Sequence, residues 1–414
     1  MSAVFTGIGV AAPTGIGTEE HWAATLAGRC AIDRITAFDP ASYPVRLAGE
    51  TRGFDPAEHM GRKLRNQTDH MTHLAVAGAG MALADAGVDL ESVGEFERGV
   101  VAANSSGGVA FGQRELQKLW SHGPAHVSAY MSVAWFYAAT AGQLSIRHGL
   151  RGPCMVTASE QAGGLDAVGH ARRQVRRGTR LVLTGGTDAS VSPVGLSFEI
   201  ATGLLSTEPA PDRAFVPFDA RARGYVPGDG GAILVMEDEA AARERGAPRI
   251  YGRLAGYAAT FDPPDPRAPA RRAPFDPPSA PAAPRLRRAA EKALADAGLA
   301  PDDIGAVFAD AYGVPELDLA ESRAVEAVFG PGGVPVTAPK TLTGRLSAGG
   351  SALDLATALL ALRDGVIPPT ANVDRLAPGV TVDLVREPRP APLRAVLVLA
   401  RGYGGFNAAA VVTR

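Results

Sequence analysis

The chain has 414 residues, 46% hydrophobic and 20% charged, and its 41 basic and 43 acidic residues leave a formal charge of −2. That length fits two domains or one large domain of two halves, and the near-neutral balance excludes a nucleic-acid binder or a protein drawn to an anionic membrane. No window approaches eighteen consecutive apolar residues, and the N-terminal stretch MSAVFTGIGVAAPTGIGTEEHW lacks the basic and apolar regions of a signal peptide. Cys30 and Cys154 make neither a disulfide framework nor a metal site, so a reduced, cytoplasmic setting is expected.

In chain order, SAVFTGIGV reads as a strand and EEHWAATLAGR as a helix with Trp22, Ala23, Leu26 and Ala27 on one face. HLAVAGAGMALADAG is a helix closed by Gly87, and ERGVVAAN is a strand. GPCMVTAS reads as a buried strand, GGLDAVGHARRQVRRG as an amphipathic helix, TRLVLTGGTD and YVPGDGGAILVMED as further strands. A Pro-rich interruption follows at residues 261–284, where neither sheet core nor regular helix can form, and a surface loop between two halves is expected. The alternation then restarts with RLRRAAEKALADAG (helix), IGAVFADA (strand), ALDLATALLALRDG (helix) and the closing strand pair RAVLVLARGYGGFNAAAVV. Such alternation predicts an α/β fold built on a parallel sheet, with halves 1–250 and 251–414. Two helices open alike, at Ala162-Gly163-Gly164 and Ala348-Gly349-Gly350, which reads as an internal duplication whose small residues let the two helix N-termini approach.

The stretch TASEQAGG (157–164) sits where a strand gives way to a helix, the usual pedestal for a nucleophile, because the helix start offers free N–H groups and positive potential. Its apex, Gln161, is an amide. GPCMVTASEQAGG resembles the nucleophile segment of the β-ketoacyl synthases, with Gln161 at the position of the acyl-accepting cysteine. PFDARARGYVPGDGGAILVMED, PKTLTGRLSAGGSALDLATALLALRDGVIPPTAN and ARGYGGFNAA resemble later segments of that family in the same order, and LAGRCAIDRITAFDPASYPVRLAGE an earlier one. More narrowly, EQAGGLDAVGHARRQVRRGT, FGQRELQKLW and AWFYAATAGQLSIRHG are similar to the chain length factor, the ketosynthase β-subunit of type II aromatic polyketide synthases. The resemblance implies the thiolase-like fold, five-layered αβαβα with two duplicated halves.

A condensing enzyme needs a thiol to carry the growing chain and two histidines to polarise the malonyl thioester. By resemblance those three positions hold Gln161, Tyr312 and Arg345, and only Lys340 of the polar set is retained. All eight histidines lie at or before His170, so the second half supplies no imidazole. The other candidates have plainer readings. Cys154 is expected to pack as a small buried hydrophobe rather than serve as an acyltransferase nucleophile, and Cys30 to be incidental. Glu160 suits the helix dipole, and Gln161 itself would be a filler whose amide satisfies nearby backbone groups. His122 and His126 lie in a Gly/Pro loop without a third ligand, and GDGG (228–231) lacks the strand-then-helix order of a phosphate loop. The basic run ARRQVRRG reads as a helix end or a carrier-protein dock.

The resemblance therefore implies a non-condensing subunit that pairs with an active ketosynthase α-subunit. It would have no cofactor of its own, because the growing poly-β-keto chain arrives on the phosphopantetheine of an acyl carrier protein. Neither nucleic acid, membrane nor metal enters this reading. Phe111, Trp120, Met131, Val133, Trp135, Phe136 and Tyr137 are expected to form the interface, and Val109, Gly112, Leu116 and Val194 the gate that ends the tunnel. Because those four are small or medium-sized, a decaketide or larger is expected. The alternative is a malonyl-carrier-protein decarboxylase that supplies an acetyl starter through Gln161.

Overall fold

The computed structural model describes residues 1–263 and 283–414, so most of the Pro-rich expectation at 261–284 lies outside the described residues. The main elements are β1 (Ala3–Ala12), α1 (Thr18–Leu26), α2 (His70–Ala86), β2 (Arg98–Ala103), α3 (Val109–His122), β3 (Cys154–Thr157), α4 (Gly163–Arg176), β4 (Leu181–Ala189), α5 (Pro193–Ile200) and β5 (Asp229–Asp238). The second set is β6 (Gly252–Phe261), α6 (Ala283–Ala297), β7 (Ala306–Phe308), β8 (Pro335–Thr337), α7 (Ala348–Asp364), β9 (Ala395–Gly402) and β10 (Phe406–Thr413).

The duplication appears in the strand pairing. In the first half β3 pairs parallel with β2 and β2 with β4, while β4 and β1 both run antiparallel to β5. In the second half β8 pairs parallel with β7 and β7 with β9, while β9 and β6 both run antiparallel to β10. The sheets are thus mixed, not purely parallel: in each half a single strand, β5 or β10, runs against the neighbours on both its sides. A short antiparallel contact, Val4 with Arg253 and Phe5 with Gly252, joins β1 to β6.

Helices α4 and α7 lie between the two sheets, α2 covers the outer face of the first and α6 that of the second. This is the five-layered αβαβα arrangement. Every residue of α7 from Ala348 to Leu362 is buried, as its layer requires of a helix covered on all sides. At Gly164 the two central helices nearly touch: a Cβ there would lie 2.5 Å from the Ala352 nitrogen. On α1 the buried residues are His21, Trp22, Ala24 and Thr25, so the expected stripe is displaced and Ala23 and Ala27 face solvent.

Two burial expectations are corrected. Strand β3 pairs only with β2 and forms the sheet's edge, so Cys154 is exposed rather than buried. Phe111 is 4% exposed, with its N–H donated to Asp69 at 2.7 Å; it packs inside this chain and is no surface anchor.

Candidate functional site

The turn after β3 carries Glu160 and Gln161, as the strand-to-helix pattern predicts. Glu160 has φ 48°, a left-handed conformation that costs a non-glycine residue about 1–2 kcal/mol. Its N–H donates to Ser105 Oγ at 2.9 Å, and its carboxylate accepts the Tyr403 N–H at 2.8 Å. The turn therefore points Glu160, not Gln161, into the cavity. That cavity measures about 200 Å³ and is lined by Ser105, Glu160, Glu199, Tyr225, Tyr312 and Arg345 among others.

Gln161 is 0% exposed and contributes nothing to the cavity lining. Its amide lies against the start of α7, where a Cβ at Gly350 would be 2.2 Å from Nε2. Neither amide atom has a hydrogen-bond partner, contrary to the expectation that Gln161 satisfies neighbouring backbone groups. A buried unpaired amide costs about 1–3 kcal/mol, so the side chain fills space here at some expense to stability.

Tyr312 and Arg345, read from the sequence as the two histidine positions, form one stacked assembly. The Arg345 guanidinium lies 3.9 Å from the Tyr312 ring centroid, and Tyr312 meets Tyr225 edge-on at 5.6 Å. Arg345 donates to Asp310 Oδ2 at 3.1 Å and to the Arg401 carbonyl at 2.9 Å. Arg401 also bonds Asp310, at 3.2 Å, and Glu321 at 2.9 Å. Burial works against the Arg345 cation, but Asp310, Tyr312 and Glu160 outweigh it and hold it protonated. Burial likewise opposes the Asp310 anion, yet Arg345 and Arg401 keep its carboxyl below the usual range. A guanidinium so engaged gives no proton to a substrate carbonyl. Lys340 donates to the Ala309 carbonyl at 2.8 Å and lies 2.7 Å from Asp354, a retained but buried ion pair.

Two acids at the cavity were not assigned together from sequence. Burial raises the Glu160 carboxyl, and burial together with the neighbouring Glu160 charge pushes Glu199 up to about 7. Glu199 accepts from Ser190 Oγ at 2.5 Å and from the Tyr225 hydroxyl at 3.1 Å. No spacing rule brings residues 160 and 199 together; the fold does. Chain order also failed to keep imidazole out of the second half's packing. His21 Nε2 lies 3.0 Å from Thr357 Oγ1 on α7 and its Nδ1 2.6 Å from Thr14 Oγ1. Thr357 spends its own hydrogen on the Leu353 carbonyl, so His21 donates from Nε2 and accepts at Nδ1. Burial lowers its pKa to about 4, and it does not line the cavity.

The gate and interface candidates lie on and around α3. Trp120, Val133, Trp135, Phe136 and Tyr137 are exposed, Trp120 at 77% and Trp135 at 57%, and Met131 is half-buried. Gly112 is buried under Trp135, whose Cβ would lie 3.6 Å from a Cβ at that glycine. Val109, Leu116 and Val194 are half-buried, and the Val194 N–H donates to Gln113 Oε1 at 3.1 Å, which ties α5 to α3. His122 and His126 are exposed, with ring centroids 5.5 Å apart. Among the described residues no three His, Cys, Asp or Glu side chains gather to hold a metal ion, and no helix is long and apolar enough to cross a membrane.

Neither a cysteine nor a histidine is among the described residues that line the cavity beside Arg345. The chain matches the β-ketoacyl synthase N-terminal domain over residues 2–242 and the C-terminal domain over residues 275–374, and it belongs to that family. It is 54% identical, over 99% of its length and 98% of the relative's, to the tetracenomycin polyketide synthase ketoacyl synthase beta subunit of Streptomyces glaucescens. A beta-ketoacyl synthase 2 named for actinorhodin polyketide, from Streptomyces coelicolor, is 53% identical over 100% of this chain and 99% of that one. Among solved structures, the ishigamide ketosynthase/chain length factor superposes with a TM-score of 0.88 at 28% identity, covering 100% of this chain and 98% of that one.

Proposed function

We propose that this chain is the non-condensing subunit, the chain length factor, of a type II polyketide synthase. It pairs with a ketosynthase α-subunit whose intact cysteine and histidines perform the condensation. The growing poly-β-keto chain is delivered on the phosphopantetheine of an acyl carrier protein and extends from the partner's cysteine into a tunnel at the shared interface. One observation carries the reading. The nucleophile position holds a fully buried amide that does not reach the cavity, and Arg345, at a histidine position, is locked between Asp310 and the Arg401 carbonyl. The full-length likeness to a polyketide synthase beta subunit points the same way.

The starter-forming decarboxylase reading is weaker on the same ground. An amide that stabilises a carbanion must touch it, and Gln161 touches Gly350 instead. The isolated chain, offered malonyl-carrier protein, is expected to release no carbon dioxide above background. Robust release that is lost on changing Gln161 would replace the proposal with this alternative.

Chain length is set by room at the gate. Val109, Gly112, Leu116 and Val194 leave the tunnel deep, so the product lies at the long end of the aromatic range, a decaketide or larger. In the complex reconstituted with α-subunit and carrier protein, Val109→Phe with Gly112→Thr is expected to shorten the backbone seen by mass spectrometry. Unchanged length at normal yield would remove these residues from the gate.

A further inference from the structure

A second cavity, near the gate, belongs to neither the degenerate site nor the exposed aromatic face. It measures about 500 Å³ and lies against α3 on the side that carries Ala110, Gln113 and Arg114. At 3.6 residues per turn those three point about 100° around the helix from the Val109, Gly112 and Leu116 stripe. Its far walls include Thr51, Arg52, His70 and Ser192. A volume of this size is within the usual range of small-molecule sites.

The seam between gate and cavity runs between α3 and the start of α5. The Val194 N–H is one of the donors that a helix's first turn leaves unsatisfied, and Gln113 Oε1 accepts it across the seam at 3.1 Å. Ser192 caps the same helix end by accepting the Gly195 N–H at 3.1 Å. A single side chain thus bridges the gate residue Val194 and the cavity wall.

Most of the cavity's polar groups are already engaged: Arg52 donates to Asp33 and to the Arg34 carbonyl, each at 2.8 Å, and His70 Nε2 lies 3.2 Å from Thr51 Oγ1. Glu50 already accepts the Thr36 N–H at 3.0 Å, the Thr36 hydroxyl at 2.7 Å and the Ala37 N–H at 2.8 Å. Asp229 accepts the Val191 N–H at 2.9 Å. The Arg114 guanidinium has no hydrogen-bond or ion-pair partner among the described residues and rests over the Phe111 ring at 5.4 Å. A free guanidinium suits a ligand that carries acceptors. A poly-β-ketone is such a ligand, with a carbonyl oxygen on every second carbon.

We infer that this cavity is a second chamber for the distal end of the poly-β-keto chain, closed in the present structure by the Gln113–Val194 hydrogen bond. Gln113 is then a positioning residue: it fixes the spacing of the two helices that carry the gate and so sets where the tunnel ends. The inference rests on the chain-length reading above.

The test uses the reconstituted heterodimer with its carrier protein, each variant first shown to co-purify with the α-subunit. Gln113→Ala removes the bridge and is expected to shift the main product upward by one or more two-carbon units. Gln113→Asn, one methylene too short to reach Val194, gives the same shift and serves if the alanine variant does not assemble. Gln113→Glu keeps an acceptor and restores the shorter distribution. Adding Ala110→Phe to Gln113→Ala fills the chamber and abolishes the gain. Unchanged length in both the alanine and asparagine variants would overturn the inference, as would lengthening that survives Ala110→Phe. If Val109→Phe with Gly112→Thr shortens the product while Gln113→Ala lengthens nothing, only the chamber fails; if neither pair moves the length, the gate reading fails with it.

Discussion

Around Arg345, buried charges answer one another, whereas between Trp120 and Tyr137 nothing among the described residues covers several large apolar side chains. In the first region Arg345, Arg401, Asp310 and Glu321 close a network at distances of 2.9–3.2 Å, roofed by the Tyr312 ring. In the second, Trp120, Trp135 and Phe136 are 77%, 57% and 47% exposed. A ketosynthase needs the opposite balance at its reaction centre: room, a free nucleophile and unengaged proton donors. Here the charged groups around Arg345 are engaged with one another, and the exposed aromatic side chains form a surface that water does not favour.

The comparison breaks hardest at Asp310. Asp310→Ala leaves two buried guanidinium groups short of their shared anion and is expected to cost about 3–5 kcal/mol of stability, read from denaturant midpoints. A loss below 1 kcal/mol would mean that the network is ornamental. A smaller effect is expected on the other side. Phe136→Asp places a charge on the aromatic face and is expected to weaken the heterodimer by about 3 kcal/mol, over a hundredfold in Kd, measured by titration against the α-subunit. An unchanged Kd would locate the interface elsewhere.

The smallest effect sharpens the picture of the cavity. Glu199 titrates near 7 when folded, against an ordinary 4.5, because of burial and Glu160. Between those values the unfolded chain gives up a proton that the folded chain keeps, so stability falls as pH rises from about 4.5 to about 7 and then levels. Asp318, raised to about 7 by burial, adds to the same decline. Glu199→Gln is expected to make the slope shallower without flattening it. A slope identical to that of the parent chain would show that Glu199 ionises freely in the fold.

Much of this architecture was legible in the chain. Period and punctuation locate β1, α2, β4, β5 and α7, because each is long, and the paired Ala-Gly-Gly openings announced the repeat. The lack of any histidine beyond His170 was also legible, since it is a matter of residue type. What was not legible depends on long-range packing. Whether β3 is core or edge turns on which strand lies beyond it, so an apolar run misled for Cys154. Gln161's lack of partners is decided at Gly350, on another helix. The Glu160–Glu199 pairing and His21's bond to Thr357 come from chain segments that only the folded sheets bring together.

The complete burial of α7 bears on how such subunits can be recombined. This helix belongs by sequence to the second repeat, yet it packs on β4, β5 and α4 of the first as well as on β9. A chimera joined inside the Pro-rich stretch would take its central helix from one parent and most of that helix's bed from the other. Gly164 and Gly350 would then face residues that had not been selected alongside them, at separations where one methyl group is too many. On the gate proposed above, exchange of chain-length preference between relatives is therefore better attempted through α3 and its surroundings, which lie away from that seam.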